Sequence, residues 1–133
     1  MKKINVTSEI KQIKKVLLHR PGNELLNLTP DTLQELLFDD IPYLPVAQRE
    51  HDEFARVLKE NGVEVVYLEN LMAEVIALDE KIREEFINQF IYEAGVRTPK
   101  YRGLLYDYLD NFESNRMLVL KTMEGIRLNE IFV

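Results

Sequence analysis

Two adjacent carboxylates, Asp39-Asp40, stand between a leucine-rich stretch and Ile41-Pro42. An acid pair at a loop can accept a guanidinium bidentately or hold a hard divalent cation through oxygen. The ordinary alternative is a solvated pair with one carboxylate capping a nearby backbone amide, and the bare sequence favours it because loop charges are usually solvated. His19-Arg20 is a second candidate, because it follows an apolar run that reads as a strand, and strand ends carry functional groups in α/β folds. No nucleophile or acid stands at a diagnostic distance from it, so a plain strand end with a paired arginine is the simpler expectation. His51 falls on the apolar side of a helical pattern, where a partly buried, hydrogen-bonded ring is expected before a catalyst.

Other chemistry is excluded by composition. The chain has 133 residues and no cysteine, so disulfides, thiolate metal sites and cysteine nucleophiles are absent from it. Two histidines are too few for a three-histidine metal centre. Gly22, Gly62, Gly95, Gly103 and Gly125 stand singly, which leaves no phosphate-binding glycine loop and no nucleophile elbow.

The elements that must position these residues fall into two patterns. Up to about Asn70, short β-like and helical segments alternate. The segment Lys15-Val16-Leu17-Leu18-His19-Arg20-Pro21-Gly22, an apolar run stopped by Pro-Gly, predicts a buried strand and a turn, with a weaker strand through Ile4-Asn5-Val6. Thr29-Pro30-Asp31 predicts a helix start, followed by Leu33, Leu36 and Leu37 facing inward. A helix over about Ala47–Glu60 would turn His51, Phe54, Ala55 and Leu58 to one face and close at Asn61-Gly62. Val63 to Leu68 then reads as a strand parallel to the first, since a crossover of this length joins parallel strands. From Leu71 the pattern is helical. Asp79, Thr98-Pro99 and Ser114 are the three start signals, and Lys121 interrupts the last apolar stripe. Two or three strands make a sheet that needs cover and edge partners, so the front half reads as one module of a larger α/β assembly.

Overall composition is 46% hydrophobic and 30% charged, a globular balance for one domain or two small ones. A formal charge of −6 predicts repulsion from nucleic-acid phosphate and anionic lipid. The charged start, Met1-Lys2-Lys3, does not resemble a signal peptide, and no apolar run has the roughly 18 residues needed to span a bilayer. The expectation is a cytoplasmic protein with neither nucleic acid nor membrane as partner.

Several segments together resemble the beginning of bacterial arginine deiminases. They are Asn5-Val6-Thr7-Ser8-Glu9-Ile10, Val16-Leu17-Leu18-His19-Arg20-Pro21-Gly22, Leu36-Leu37-Phe38-Asp39-Asp40-Ile41-Pro42-Tyr43-Leu44, Glu50-His51-Asp52-Glu53-Phe54-Ala55 and Gly62-Val63-Glu64-Val65-Val66-Tyr67-Leu68-Glu69. Ala73-Glu74 and Lys121-Thr122-Met123-Glu124-Gly125-Ile126 extend the similarity. The resemblance implies a fold class: residues 1–70 as the first ββαβ-type module of the guanidine-modifying enzymes' α/β propeller, and residues 71–133 as an incomplete helical-bundle insertion.

It also implies hydrolysis of L-arginine to L-citrulline and ammonia by an active-site cysteine, a histidine acid/base and guanidinium-binding carboxylates, with no metal or organic cofactor. A thiolate suits that reaction because its pKa can be lowered beside a cationic substrate. Those residues belong to later modules of the longer enzymes, so His19, His51, Asp39 and Asp40 are not carried into the catalytic roles. What the resemblance assigns to this region is a loop at the substrate pocket, Leu37, Phe38, Asp39 and Asp40, with the Leu37 carbonyl meeting the substrate's α-amino group. The chain is then an N-terminal portion, inactive by itself, whose partners are L-arginine in the full enzyme and either missing C-terminal modules or further copies of itself. A short stand-alone binding or regulatory protein is the alternative, and a related peptidylarginine deiminase or amidinotransferase is a third reading.

Overall fold

The computed structural model describes residues 4–33 and 39–131. Strand β1 (Lys15–Leu18) leads through a 3-10 turn (Asn23–Asn27) to a short helix α1 (Pro30–Leu33). The long helix α2 (Leu44–Glu60) then crosses over to strand β2 (Glu64–Tyr67). Five helices follow: α3 (Leu68–Ile76), α4 (Glu80–Glu93), α5 (Pro99–Asp110), α6 (Asn115–Glu124) and α7 (Leu128–Ile131). None of the described helices is long and apolar enough to cross a membrane.

Local chemistry explains most of these boundaries. Pro45 lies in the first turn of α2, where its missing N–H has no intrahelical partner to lose. At the other end Gly62 adopts φ 77°, and the N–H groups of Gly62 and Val63 reach back to the Lys59 and Leu58 carbonyls at 3.0 Å. A side chain at Gly62 would be strained in that left-handed conformation, so glycine allows the helix to stop and the chain to re-enter the sheet. Asp79 accepts from the Lys81 N–H at 3.0 Å and Ser114 from the Met117 N–H at 3.3 Å, which caps α4 and α6 as expected. Thr98 makes no side-chain cap to α5, leaving Pro99 to set that start.

The strands β1 and β2 pair in parallel with Lys15, Val16, Leu17 and Leu18 opposite Glu64, Val65, Val66 and Tyr67. That is a single two-stranded sheet, and it does not close. The fold class implied by the resemblance is therefore corrected: the described residues are mostly helical and contain no ββαβ propeller module. The physical reason lies at the N-terminus. Ile4-Asn5-Val6, expected as another strand, has no regular structure, and Ile4 and Val6 are 96% and 84% exposed. A strand with no neighbour to pair its backbone groups gains nothing over water, and three residues of alternation cannot bury a face.

Burial is concentrated in the rear half. Ile87 and Ile91 from α4, Leu105 and Leu109 from α5, and Leu118 from α6 form one core cluster, sealed at its rim by Tyr108 and Phe112 in an edge-to-face pair. Among the described residues around the sheet, only Ala55 and Val63 are buried apolar residues. Phe54, expected inside with Ala55, is 54% exposed. Helix α3 joins the halves, because it starts without a loop from β2 and packs on α6.

Candidate functional site

The described part of the acidic loop supports the modest reading. Asp39 and Asp40 lie in an exposed bend, and an Asp40 oxygen accepts the Ile41 N–H at 2.7 Å. That carboxylate thus braces its own turn. Leu36, Leu37 and Phe38, including the two that the resemblance places at the substrate pocket, lie outside the described residues. Among the described residues no group of three His, Cys, Asp or Glu could hold a metal ion.

His19 and Arg20 part company at the end of β1. Arg20 turns to α2 and forms a bidentate pair with Asp52, at 2.7 and 2.9 Å. Both partners are well exposed, so the pair adds geometry more than stability. His19 instead turns inward. The parallel register places the residue after Leu18 beside the residues after Tyr67, and β2 runs directly into α3, so the first turn of α3 meets the histidine. His19 Nδ1 lies 3.1 Å from a Glu69 oxygen, and Nε2 lies 2.9 Å from a Glu24 oxygen. The Gly22 N–H also donates to Glu24, at 2.6 Å. Burial opposes charging of the ring, but its hydrogen bonds to Glu69 and Glu24 outweigh that and raise the His19 pKa above its ordinary 6.5. Burial likewise works against a charged Glu24, and the Gly22 N–H with His19 overcomes it, leaving that pKa lowered.

Gly22, Glu24 and Glu69, the partners gathered at this point, line one wall of a cleft of about 210 Å3 between the turn after β1 and helix α6. Gln48 from α2 donates to the Pro21 carbonyl at 2.9 Å and fixes the turn's far side. Across the cleft, Arg116 donates to Asn70 at 2.8 Å and stands 3.8 Å from the second oxygen of Glu69. Lys121, read from sequence as an interruption of an apolar stripe, is buried and paired with Glu124 and Glu130. Acids and bases alternate around this cleft and answer one another, an arrangement suited to holding elements in place. It contains no thiol and no hydroxyl activated by a base, so it does not assemble a nucleophile. A larger, mainly apolar cleft of about 700 Å3 opens between α3, α4 and α6, lined by residues such as Met72, Ile76, Phe86 and Met123.

His51 sits near the sheet, its ring 5.9 Å from that of Tyr67. Its Nε2 is buried with no hydrogen-bond partner among the described residues. Sequence reasoning missed Glu24, Glu69 and the roles of Lys121 and Glu130. Glu69 lies 50 positions from its histidine, and no local pattern announces such a contact. The helical position of Lys121 among apolar residues was the one available signal that its charge would need a buried partner.

A family model for arginine deiminase matches residues 34–132. The arginine deiminase of Treponema denticola is 60% identical over 128 residues, which cover 96% of this chain and 31% of that protein. That of Clostridium perfringens is 53% identical over the same coverage, and that of Borrelia duttonii is 58% identical over 118 residues, 89% of this chain and 29% of that protein. The chain spans about a third of the length of the curated relatives it matches. With a family model over most of the chain and this identity from end to end, the chain belongs to the arginine deiminase family.

Proposed function

We propose that this chain forms the N-terminal portion of an arginine deiminase, and that it contributes scaffold and one loop to an enzyme hydrolysing L-arginine to L-citrulline and ammonia. The observation that carries the reading is the family match combined with the lack of any cysteine in the chain. A thiolate nucleophile must then come from another part of the protein, and the ion pairs around Glu24, Glu69 and Lys121 are built for bracing. The loop at Leu37, Phe38, Asp39 and Asp40 is the segment offered to the substrate, and the hydrogen bond that Asp40 accepts from the Ile41 N–H fits a carboxylate that shapes it. The division into a front portion to residue 70 and a helical portion beyond it belongs to the same reading.

The surface supports association with the remainder of a longer protein. Leu17, Phe54 and Leu78 are between 52% and 76% exposed, and each strand of the sheet pairs with only one neighbour among the described residues. Purified chain incubated with free arginine is expected to form no citrulline and to sediment as a dimer or larger species. Citrulline formation by cysteine-free chain would overturn the functional reading, and a monomer at all concentrations would overturn the association. In a longer enzyme carrying this segment with its catalytic modules, Asp40→Ala is expected to raise KM for arginine with little change in kcat. An unchanged KM would remove the loop from the substrate site.

A further inference from the structure

We propose that the imidazolium of His19 clamps Glu24 of the turn after β1 to Glu69 of α3, and that its deprotonation releases Glu24 from the ring.

The geometry requires a proton at each ring nitrogen. Nδ1 faces Glu69 and Nε2 faces Glu24, and a carboxylate only accepts, so both bonds exist together only with the charged ring. A neutral ring must turn a lone pair toward one of the two acids. Burial decides which. The Glu69 side chain is 3% exposed and its other partner, Arg116, is 3.8 Å away, whereas the Glu24 side chain is 26% exposed and keeps the Gly22 N–H. Uncovering Glu24 costs less than orphaning Glu69, so the neutral ring holds its proton on Nδ1 and lets Glu24 go.

The other charges facing this point come from three elements. Arg20 lies on the same turn and is taken by Asp52 of α2. Glu69 belongs to α3, while Arg116, Lys121 and Glu124 face the cleft from α6, and Lys121 is held by Glu124 and Glu130. None of these cations stands within hydrogen-bond distance of Glu24. The lowered pKa of Glu24 and the raised pKa of His19 set the window. The clamp is fully present below pH 6.5, down to the depressed Glu24 value, and is lost as pH rises through the His19 value.

Gly22 supplies a second handle. Its φ of −127° is open to any residue, but an added Cβ would meet a Glu24 oxygen at 2.7 Å. Gly22→Ala therefore displaces the glutamate without altering a charge.

The test is an NMR titration of the two histidine rings in the 133-residue chain from about pH 5 to about pH 9, with His51→Gln providing the assignment. His19 is expected to titrate above 6.5, to carry both ring protons below its midpoint and the Nδ1 proton above it. Glu24→Gln and Gly22→Ala are each expected to lower its proton affinity about threefold or more, a difference of about half a pKa unit. Amide exchange at residues 23–27 is expected to quicken above the midpoint, and to be fast at every pH in Gly22→Ala. A wild-type midpoint at or below 6.5, an Nε2 proton on the neutral ring, or exchange that ignores pH would each overturn the clamp. The wild-type measurements stand even if a variant fails to fold.

Discussion

A buried charge is stable only where its partners are fixed, and Lys121 shows the condition being met. Its side chain is 10% exposed and pairs with Glu124 at 3.1 Å and with Glu130. Tyr108 donates to the same Glu130 at 3.1 Å and the Arg127 N–H donates to it at 2.9 Å. The ammonium of Lys121, chiefly, with the Arg127 N–H, pulls the Glu130 pKa down to about 2, which is below its unfolded value. A depressed acid contributes stability above its unfolded pKa and loses it as pH falls through the folded one. Urea midpoints are therefore expected to fall from about pH 4.5 toward about pH 2, and Glu130→Gln should flatten that dependence. A variant with the wild-type acid profile would show that the pair carries no pH-dependent stability. At neutral pH, Lys121→Ala should cost about 1.5–3 kcal/mol, the range for hydrogen bonds to charged groups.

At the scale of elements, Arg83 ties the end of α5 to the start of α6. From α4 its guanidinium donates to the Asp110 and Phe112 carbonyls at 2.9 Å and to the Asn115 side chain at 2.6 Å, with the Asp110 carboxylate 3.2 Å away. The last carbonyls of a helix have no intrahelical partner and present negative charge, so a cation placed there does two jobs. A lysine has charge but no planar fork. Arg83→Lys is therefore expected to lose about 1–3 kcal/mol through carbonyls left unsatisfied, read from chemical denaturation, despite its conserved charge. A loss within experimental error would reduce Arg83 to a surface cation. Sequence reading anticipated the elements Arg83 connects, because Asp79, Ser114, Pro99 and Gly62 announce their boundaries locally. It also gave the parallel strands, since the intervening helix is long enough for a crossover. It failed where tertiary contacts decide: Ile4–Val6 found no strand partner, Phe54 faced solvent, and Lys121 was stabilised by acids beyond its own apolar stripe. At the candidate site it found His19 and Arg20 but not Glu69, which only the register of the sheet brings into reach.

Across the whole molecule, apolar burial and polar ties divide the work unevenly. Residues from α4, α5 and α6 meet around Ile87, Leu109 and Leu118, each 0% exposed. The sheet and α2 are held to that bundle by α3 and by polar contacts, among them His19 with Glu69 and the Asn27 side chain donating to the Glu124 carbonyl at 2.5 Å. Apolar burial is insensitive to pH, whereas carboxylate and imidazole contacts are not, so the two regions should open under different conditions. Amides of α4, α5 and α6 are expected to exchange slowest and to share one opening free energy. Those of β1, β2 and α2 should exchange faster, and their protection should weaken on moving from pH 6 to higher pH, after correction for the intrinsic rate. Leu109→Ala, which removes a side chain from the centre of the cluster, should cost about 2–5 kcal/mol and erase the slow class in all three helices together. The same variant should leave the pH response of the front region in place for as long as the chain stays folded. Uniform protection across both regions would mean that the sheet and the bundle unfold as one cooperative unit, with the polar ties contributing as much as the apolar core.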